Sequence, residues 1–369
     1  MPGHASAYGF ISLAAVACLL STGALAQSSD SQSTTDLNLN NANPTRATET
    51  HTESGNRSID THTLQRLGAS GQFEPYQEIE TETVKVSSTT VRTTTRTFGR
   101  DADGNKTLLQ VRDEERHNQP GGDSSVTRVV SNPDADGRLQ PVQRELEQTK
   151  KLGDNVEQTK RTVLLPSVNG DLTPAVQIEQ RRVKGANDTV QTQTTTSLPD
   201  GEGNWQVNET KHTTTQKDGK NSTTDERVSR LNSDGKLEEV SHTITHESET
   251  ASGEKNGATE TYSLDVTGTP RDGNLHLVQR ATTAQRTGAT GQQTMQHRVE
   301  QPDPGDPNAG LRVTILTTDT ARPSASGTRT TQTIQALDPN GDLSMVSVDT
   351  TKSDGTAVQV QIAPPEKKK

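Results

Sequence analysis

The sequence predicts an all-β protein: an elongated antiparallel β-meander, a thin sheet of about nine tandem hairpin units. Three observations predict it. A glycine returns about every 33 residues, polar turns close on that glycine, and alternating runs of Thr, Val and Ile lie between the turns. The glycines are Gly71, Gly104, Gly137, Gly170, Gly203, Gly235, Gly273, Gly310 and Gly341, at spacings of 33, 33, 33, 33, 32, 38, 37 and 31. A period of this length marks one supersecondary unit copied in tandem. A β-solenoid is the alternative arrangement of the same units.

Each unit opens on a turn. DADG at 101–104 and 134–137, DGEG at 200–203, NSDG at 232–235 and DPNG at 338–341 place Asp or Asn three residues before the glycine. Asp and Asn at the first turn position accept backbone N–H bonds, and Gly at the last takes positive φ without a Cβ clash. A large apolar residue follows two positions later in most units: Phe73, Leu139, Leu172, Trp205, Leu237, Leu275 and Leu343. With Leu198, Leu231 and Leu337 before the turns, these residues predict a hydrophobic stripe along one margin of the sheet, built as neighbouring repeats stack.

Alternation follows. Val240, His242, Ile244 and His246 are expected on one strand face, as are Val313 with Ile315 and Val346 with Val348. A second turn signal sits halfway through each unit, as in GGD at 121–123, LGDN at 152–155, KGAND at 184–188 and SGEKNG at 252–257. A second alternating run comes after it, such as Val190, Thr192, Thr194, Thr196 and Leu198. The Thr, Val and Ile content favours strand over helix. The apolar residue two positions past the glycine and the next valine are often an odd number apart, as Leu237 and Val240 are. A bulge in that interval restores the phase, and it would tolerate Pro75, Pro141 and Pro174.

Composition limits how thick the fold can be. Of 369 residues, 26% are apolar and 2% aromatic, too few for a two-sided core. The net charge of −10 is spread along the chain, which favours solubility and argues against a nucleic-acid partner. Residues 1–26 read as a signal peptide: FISLAAVACLL at 10–20 is the apolar stretch, and ALA at 24–26 is the cleavage site that leaves Gln27 first. AVAC at 15–18 also admits a lipoprotein reading with Cys18 acylated, although the apolar run continues past it. Cys18 is the single cysteine, so a chain cut at Gln27 has no thiol chemistry. Residues 27–62 read as a disordered polar linker, 63–363 as the threonine-rich hairpin repeat region, and 364–369 as a basic C-terminal tail. No transmembrane helix is expected in the mature chain.

Candidate chemistry is sparse, and the expected catalytic, cofactor-binding and metal residues are none. Asp101, Asp103 and Asn105, then Asp134 and Asp136, then Asp303, Asp306 and Asn308 look like fragments of calcium loops, without the distal Glu that completes such a loop. Four residues apart on a strand, His242 and His246 stand about 13 Å apart and cannot share one zinc ion. No nucleophile elbow, zincin helix, P-loop or dinucleotide fingerprint occurs. The T-x-T runs at Thr93 and Thr95, Thr192 to Thr196, Thr213 and Thr215, and Thr243 and Thr245 resemble the flat arrays of ice-binding solenoids, but charged residues interrupt them. DADGRL at 134–139 resembles the turn of the hairpin unit in secreted RHS/YD-repeat proteins. That resemblance is confined to the turns; the family's tyrosine is missing and the period here is longer.

The function expected from this reading is a secreted, non-catalytic structural or binding repeat protein of the cell envelope or extracellular matrix. It would be extracellular, periplasmic or at the cell surface, and would act on a surface or matrix partner not legible in the sequence. The alternatives are a self-assembling, amyloid-like fibre subunit and a calcium-ordered surface protein.

Overall fold

The computed structural model describes residues 31–38, 45–68, 70–101, 103–264, 273–288, 290–303, 306–324, 327–338 and 341–352. Among them run twenty strands. The first seven are β1 (Ser31–Asn38), β2 (Thr45–Ser54), β3 (Arg57–Leu67), β4 (Phe73–Lys85), β5 (Thr90–Arg100), β6 (Lys106–Asn118) and β7 (Ser124–Pro133). Next come β8 (Leu139–Gly153), β9 (Val156–Pro166), β10 (Leu172–Lys184), β11 (Val190–Pro199), β12 (Trp205–Asp218), β13 (Asn221–Leu231) and β14 (Leu237–Glu249). The last six are β15 (Lys255–Ser263), β16 (His276–Thr287), β17 (Gln293–Asp303), β18 (Asp306–Ser324), β19 (Gly327–Leu337) and β20 (Leu343–Lys352).

All twenty belong to one sheet, and each strand pairs antiparallel with its neighbours in sequence. This is the expected meander of hairpins, with the connectivity of a meander rather than of a solenoid. The hairpin pattern also reaches further toward the N-terminus than expected. Strands β1, β2 and the start of β3 occupy part of 27–62, which the composition assigned to a flexible linker. The reason is visible in β2: Thr48, Thr50 and Thr52 alternate, and Gly55 at φ 62° turns the chain into β3 without an apolar residue. The segments read from the sequence as a signal peptide and a basic tail lie outside the described residues.

Six of the repeat glycines, Gly71, Gly104, Gly137, Gly170, Gly235 and Gly341, act through one turn geometry. At 134–138 the Gly137 N–H donates to the Asp134 carbonyl at 3.0 Å, and the Asp134 N–H donates to the Arg138 carbonyl at 2.8 Å. Gly137 sits at φ 78°, so the loop is a type I turn followed by a left-handed residue. Apolar pairs clamp the strand ends beside several of these turns, among them Leu67 with Phe73, Leu231 with Leu237 and Leu337 with Leu343. The expected hydrophobic stripe is therefore present as cross-strand pairs, but it stays wet: Leu67, Leu139, Leu237 and Leu343 are all exposed. Among the described residues only Val111, Val126 and Leu264 are buried apolar side chains.

The expected bulge occurs in every even strand from β4 to β20. Each ladder skips one residue five positions after the repeat glycine, or four in β18: Tyr76, Leu109, Val142, Ala175, Asn208, Val240, Val278, Thr314 and Val346. This corrects three alternation assignments. Val240 is itself the extra residue, so it leaves the face that His242, Ile244 and His246 share. Val313 and Ile315 flank the extra Thr314 and pair with the adjacent residues Glu300 and Val299, so they fall on opposite faces. Val346 is unpaired while Val348 faces Thr333. A one-residue insertion reverses every side chain beyond it.

The sheet is rolled. Laid flat, twenty strands at ~4.8 Å spacing would hold β1 and β20 about 90 Å apart. Cα atoms of the two strands instead come within 8 Å of each other, although no ladder joins them among the described residues.

Gly137 tests the turn alone, because a Cβ there would meet nothing within 4 Å and only the backbone conformation opposes it. Gly137→Ala is expected to destabilise the chain by about 1 kcal/mol in urea unfolding, whereas Gly153→Ala, at a glycine without positive φ, costs less.

Candidate functional site: the threonine face

Tracing partners across the ladders separates two faces. One carries a set of threonine pairs, each bridged hydroxyl to hydroxyl across neighbouring strands. They are Thr81 and Thr95 at 3.3 Å, Thr83 and Thr93 at 3.4 Å, Thr149 and Thr159 at 3.0 Å, Thr215 and Thr224 at 3.1 Å, and Thr245 and Thr259 at 3.1 Å. All five project from the same face, because each sits an even number of residues along its strand from one continuous row. A β-branched hydroxyl suits this position: the methyl packs on the pleat and the oxygen bonds sideways.

The same face holds a charge cluster. The Arg128 Nε donates to Glu114 at 2.8 Å, and its Nη1 reaches Glu147 at 2.9 Å and Glu145 at 3.4 Å. The Arg128 side chain is only 13% exposed. Its pKa is raised further: burial opposes the charge, but Glu147 and Glu114 outweigh it. Arg116 and Arg112 approach Glu114 at 3.6 and 3.7 Å, so a row of alternating charge crosses the face. The opposite face is charged as well, with Arg92 on Glu115 at 2.5 Å and Arg96 on Glu80 at 3.0 Å.

A hollow of about 560 Å³ opens on the threonine face where β12 to β17 pass. The row Lys217, Ser222, Glu247, Gly257, Thr283 and His297 crosses it, and Gly257 leaves a gap in that row of side chains. The sequence pattern had placed Gly257 in the turn SGEKNG. The turn instead closes at 250–254 around Gly253, and Gly257 is a strand residue without positive φ. The hollow's polar groups engage one another: Lys220 Nζ with Glu249 at 2.6 Å, Ser222 Oγ with Glu247 at 2.9 Å, and Thr283 Oγ1 with His297 Nδ1 at 3.1 Å. The hydrogen bond and charge of Lys220 hold the Glu249 carboxyl below its usual range. Such an open, mixed-charge surface can accept hydrogen bonds from, and donate them to, a polar polymer. It does not enclose a reacting atom away from water.

The other sequence candidates are scattered. Asp134 Oδ1 accepts the N–H groups of Asp136 at 2.9 Å and Arg138 at 2.8 Å. Asp101 does the same for Asp103 and Asn105, and Asp200 for Glu202 and Asn204. These carboxylates are spent on the turn backbone. Asp303 pairs with Arg312 at 3.0 Å, and the side chains of Asp306 and Asn308 lie outside the described residues. His242 Nε2 meets Asp225 at 2.8 Å and lies beside Tyr262, while His246 Nδ1 meets Thr223 at 3.1 Å. The two imidazoles thus have separate partners, and His242 is more covered than a solvated strand position. Among the described residues no three His, Cys, Asp or Glu side chains converge as metal ligands. No helix of the described residues is long and apolar enough to cross a membrane. No protein-family model matches the chain, and no curated protein matches it at a significant level.

Arg128 holds three carboxylates together, so removing it leaves them facing one another. Arg128→Met is expected to cost about 2 kcal/mol in urea unfolding, and Arg128→Lys about half of that, because a compact ammonium keeps the charge but lacks the broad planar fork that spans carboxylates on both flanking strands.

The turn carboxyls predict the acid limb of stability. Asp101, Asp134 and Asp200 are held below the ordinary Asp range, chiefly by the backbone N–H groups of Asn105, Arg138 and Glu202 respectively. Stability from a lowered pKa is complete above the ordinary value of about 3.9 and is lost as pH falls through the lowered folded value. Asn232 already makes the same bonds to Asp234 and Lys236 without a titrating group. The triple variant D101N/D134N/D200N is therefore expected to keep its fold at neutral pH and to show a shallower loss of urea midpoint as pH falls below the ordinary Asp value of about 3.9.

Proposed function

We propose that the chain is a secreted, non-catalytic structural or binding repeat protein that acts at the cell envelope or in the extracellular matrix. The observation that carries this reading is a one-layer sheet whose two faces are both polar. Threonine pairs and charge rows present a broad hydrogen-bonding surface, and chemistry that needs a dry pocket has little to build on. The leader-like sequence at 1–26 and the absence of cysteine after Cys18 agree with an exported chain that folds without disulfides.

Two observations weigh against the alternatives. The Asp carboxylates at 101, 134 and 200 already accept backbone N–H bonds, which leaves a calcium ion fewer free oxygens at these turns. A fibre would need flat edges offered to other copies, while here the two edges of the sheet approach each other.

Export is the first test. Expressed as the full chain in a secretion-competent bacterium, the protein is expected outside the cytoplasm with Gln27 as its N-terminal residue. Recovery in the cytoplasm with residues 1–26 retained would overturn the reading.

A further inference from the structure

We propose that β1 and β20 pair with each other and close the twenty strands into a barrel with a polar, water-filled lumen. The occupant of each free edge is thus the other edge of the same chain. Four independent features of the backbone point there.

The first is proximity: Cα atoms of β1 and β20 lie within 8 Å, although eighteen strands separate them in the sheet. The second is parity. Every pairing is antiparallel between sequence neighbours, so with an even number of strands β1 and β20 run in opposite directions. Closure then needs no new kind of ladder, only one more of the same kind.

The third is stagger. The row from Val84 runs through Arg92, Glu115, Thr127, Leu146, Thr162 and Gln177 to Ser197 and Val207. Val84 is thirteen residues past its repeat glycine and Val207 only four, a slip of nine residues over eight strands. The row from Lys217, fourteen past Gly203, ends at Ser347, six past Gly341, a slip of eight over the next eight strands. About one residue of rise, ~3.4 Å, is thus lost for every ~4.8 Å step sideways, which leans the strands by about 35° from the perpendicular to the line of turns. Closed barrels need a tilt of roughly 35–45° and a constant slip of this kind, and a flat ribbon needs neither.

The fourth is curvature. Nine bulges, one per even strand from β4 to β20, recur at nearly the same distance from the turn. Bulges add twist and bend on the strand that carries them, so a regular set bends the whole sheet one way.

Size gives the consequence. Twenty strands at ~4.8 Å spacing and ~35° tilt make a ring about 37 Å across at the backbone, and barrels of roughly 16–18 strands already hold an aqueous channel. Charges on both faces, Arg128 with Glu147 on one and Arg92 with Glu115 on the other, fit water on both sides of the wall. A lipid-facing wall would need an outward apolar band instead.

The test is a distance between the edges in the full chain. In a Cys18→Ser background, Thr35→Cys on β1 and Ser347→Cys on β20 carry nitroxide labels, and pulsed electron resonance reads their separation. Closure predicts a main distance below about 25 Å that survives dilution with excess unlabelled chain. A longer main distance overturns closure, and so does a short one that vanishes on dilution, which would assign the edges to two copies. Amide exchange on the unlabelled chain is a second readout that no label can disturb. Closure predicts that β1 and β20 exchange many-fold more slowly than unpaired backbone along both edges, and exchange of alternate amides at the unpaired rate overturns it.

Discussion

The structure depends on the cross-strand ladder because no second layer among the described residues shares the burden. A sheet packed on helices or another sheet gains most of its stability from apolar burial. Here three apolar side chains are buried among the described residues, and the rest of the sheet is half-wet on both faces. Stability must then come from within the plane: backbone bonds, opposed side-chain pairs worth about 0.2–1 kcal/mol each, and turns that fix the register. This explains the threonine content. A residue that packs a methyl on the pleat and bonds sideways through a hydroxyl serves an in-plane structure better than a larger apolar one would.

The same dependence makes the turn and the bulge a unit. The Asp or Asn cap and the positive-φ glycine set where the second strand begins, as at Asp134 and Gly137. Five residues later the extra residue resets the alternation, as Val142 does. Without that reset, the apolar residues clamping the turn and the threonine pairs further out could not keep their present faces. Proline is tolerated beside the bulge because the ladder is already interrupted there; Pro141 still faces Ser131.

Charge has a structural part to play as well. Single exposed ion pairs contribute little. Arg128 differs because it is largely covered and holds carboxylates from two flanking strands, β6 and β8, at once. It takes the place that a buried leucine would fill in a thicker protein. The hollow at Gly257 is the inverse case, a gap in a row of side chains that exposes the pleat to solvent.

The sequence alone determined the unit: its period, its two turns, its strand character and even its bulge. All of these are local, since glycine spacing, turn caps and two-residue alternation are read within one copy. Tertiary structure decided what depends on register between copies. Nothing near Arg128 in the chain says that Glu114, Glu145 and Glu147 will meet it, since those partners arise from how far each hairpin slips against the next. The assignment of Gly257 to a strand, the hairpins found within 27–62, and the single face shared by the threonine pairs follow from pairing as well. The roll that brings β1 toward β20 belongs to the same class: a small slip and bend per strand is invisible in one repeat and becomes the shape of the molecule only when summed over twenty.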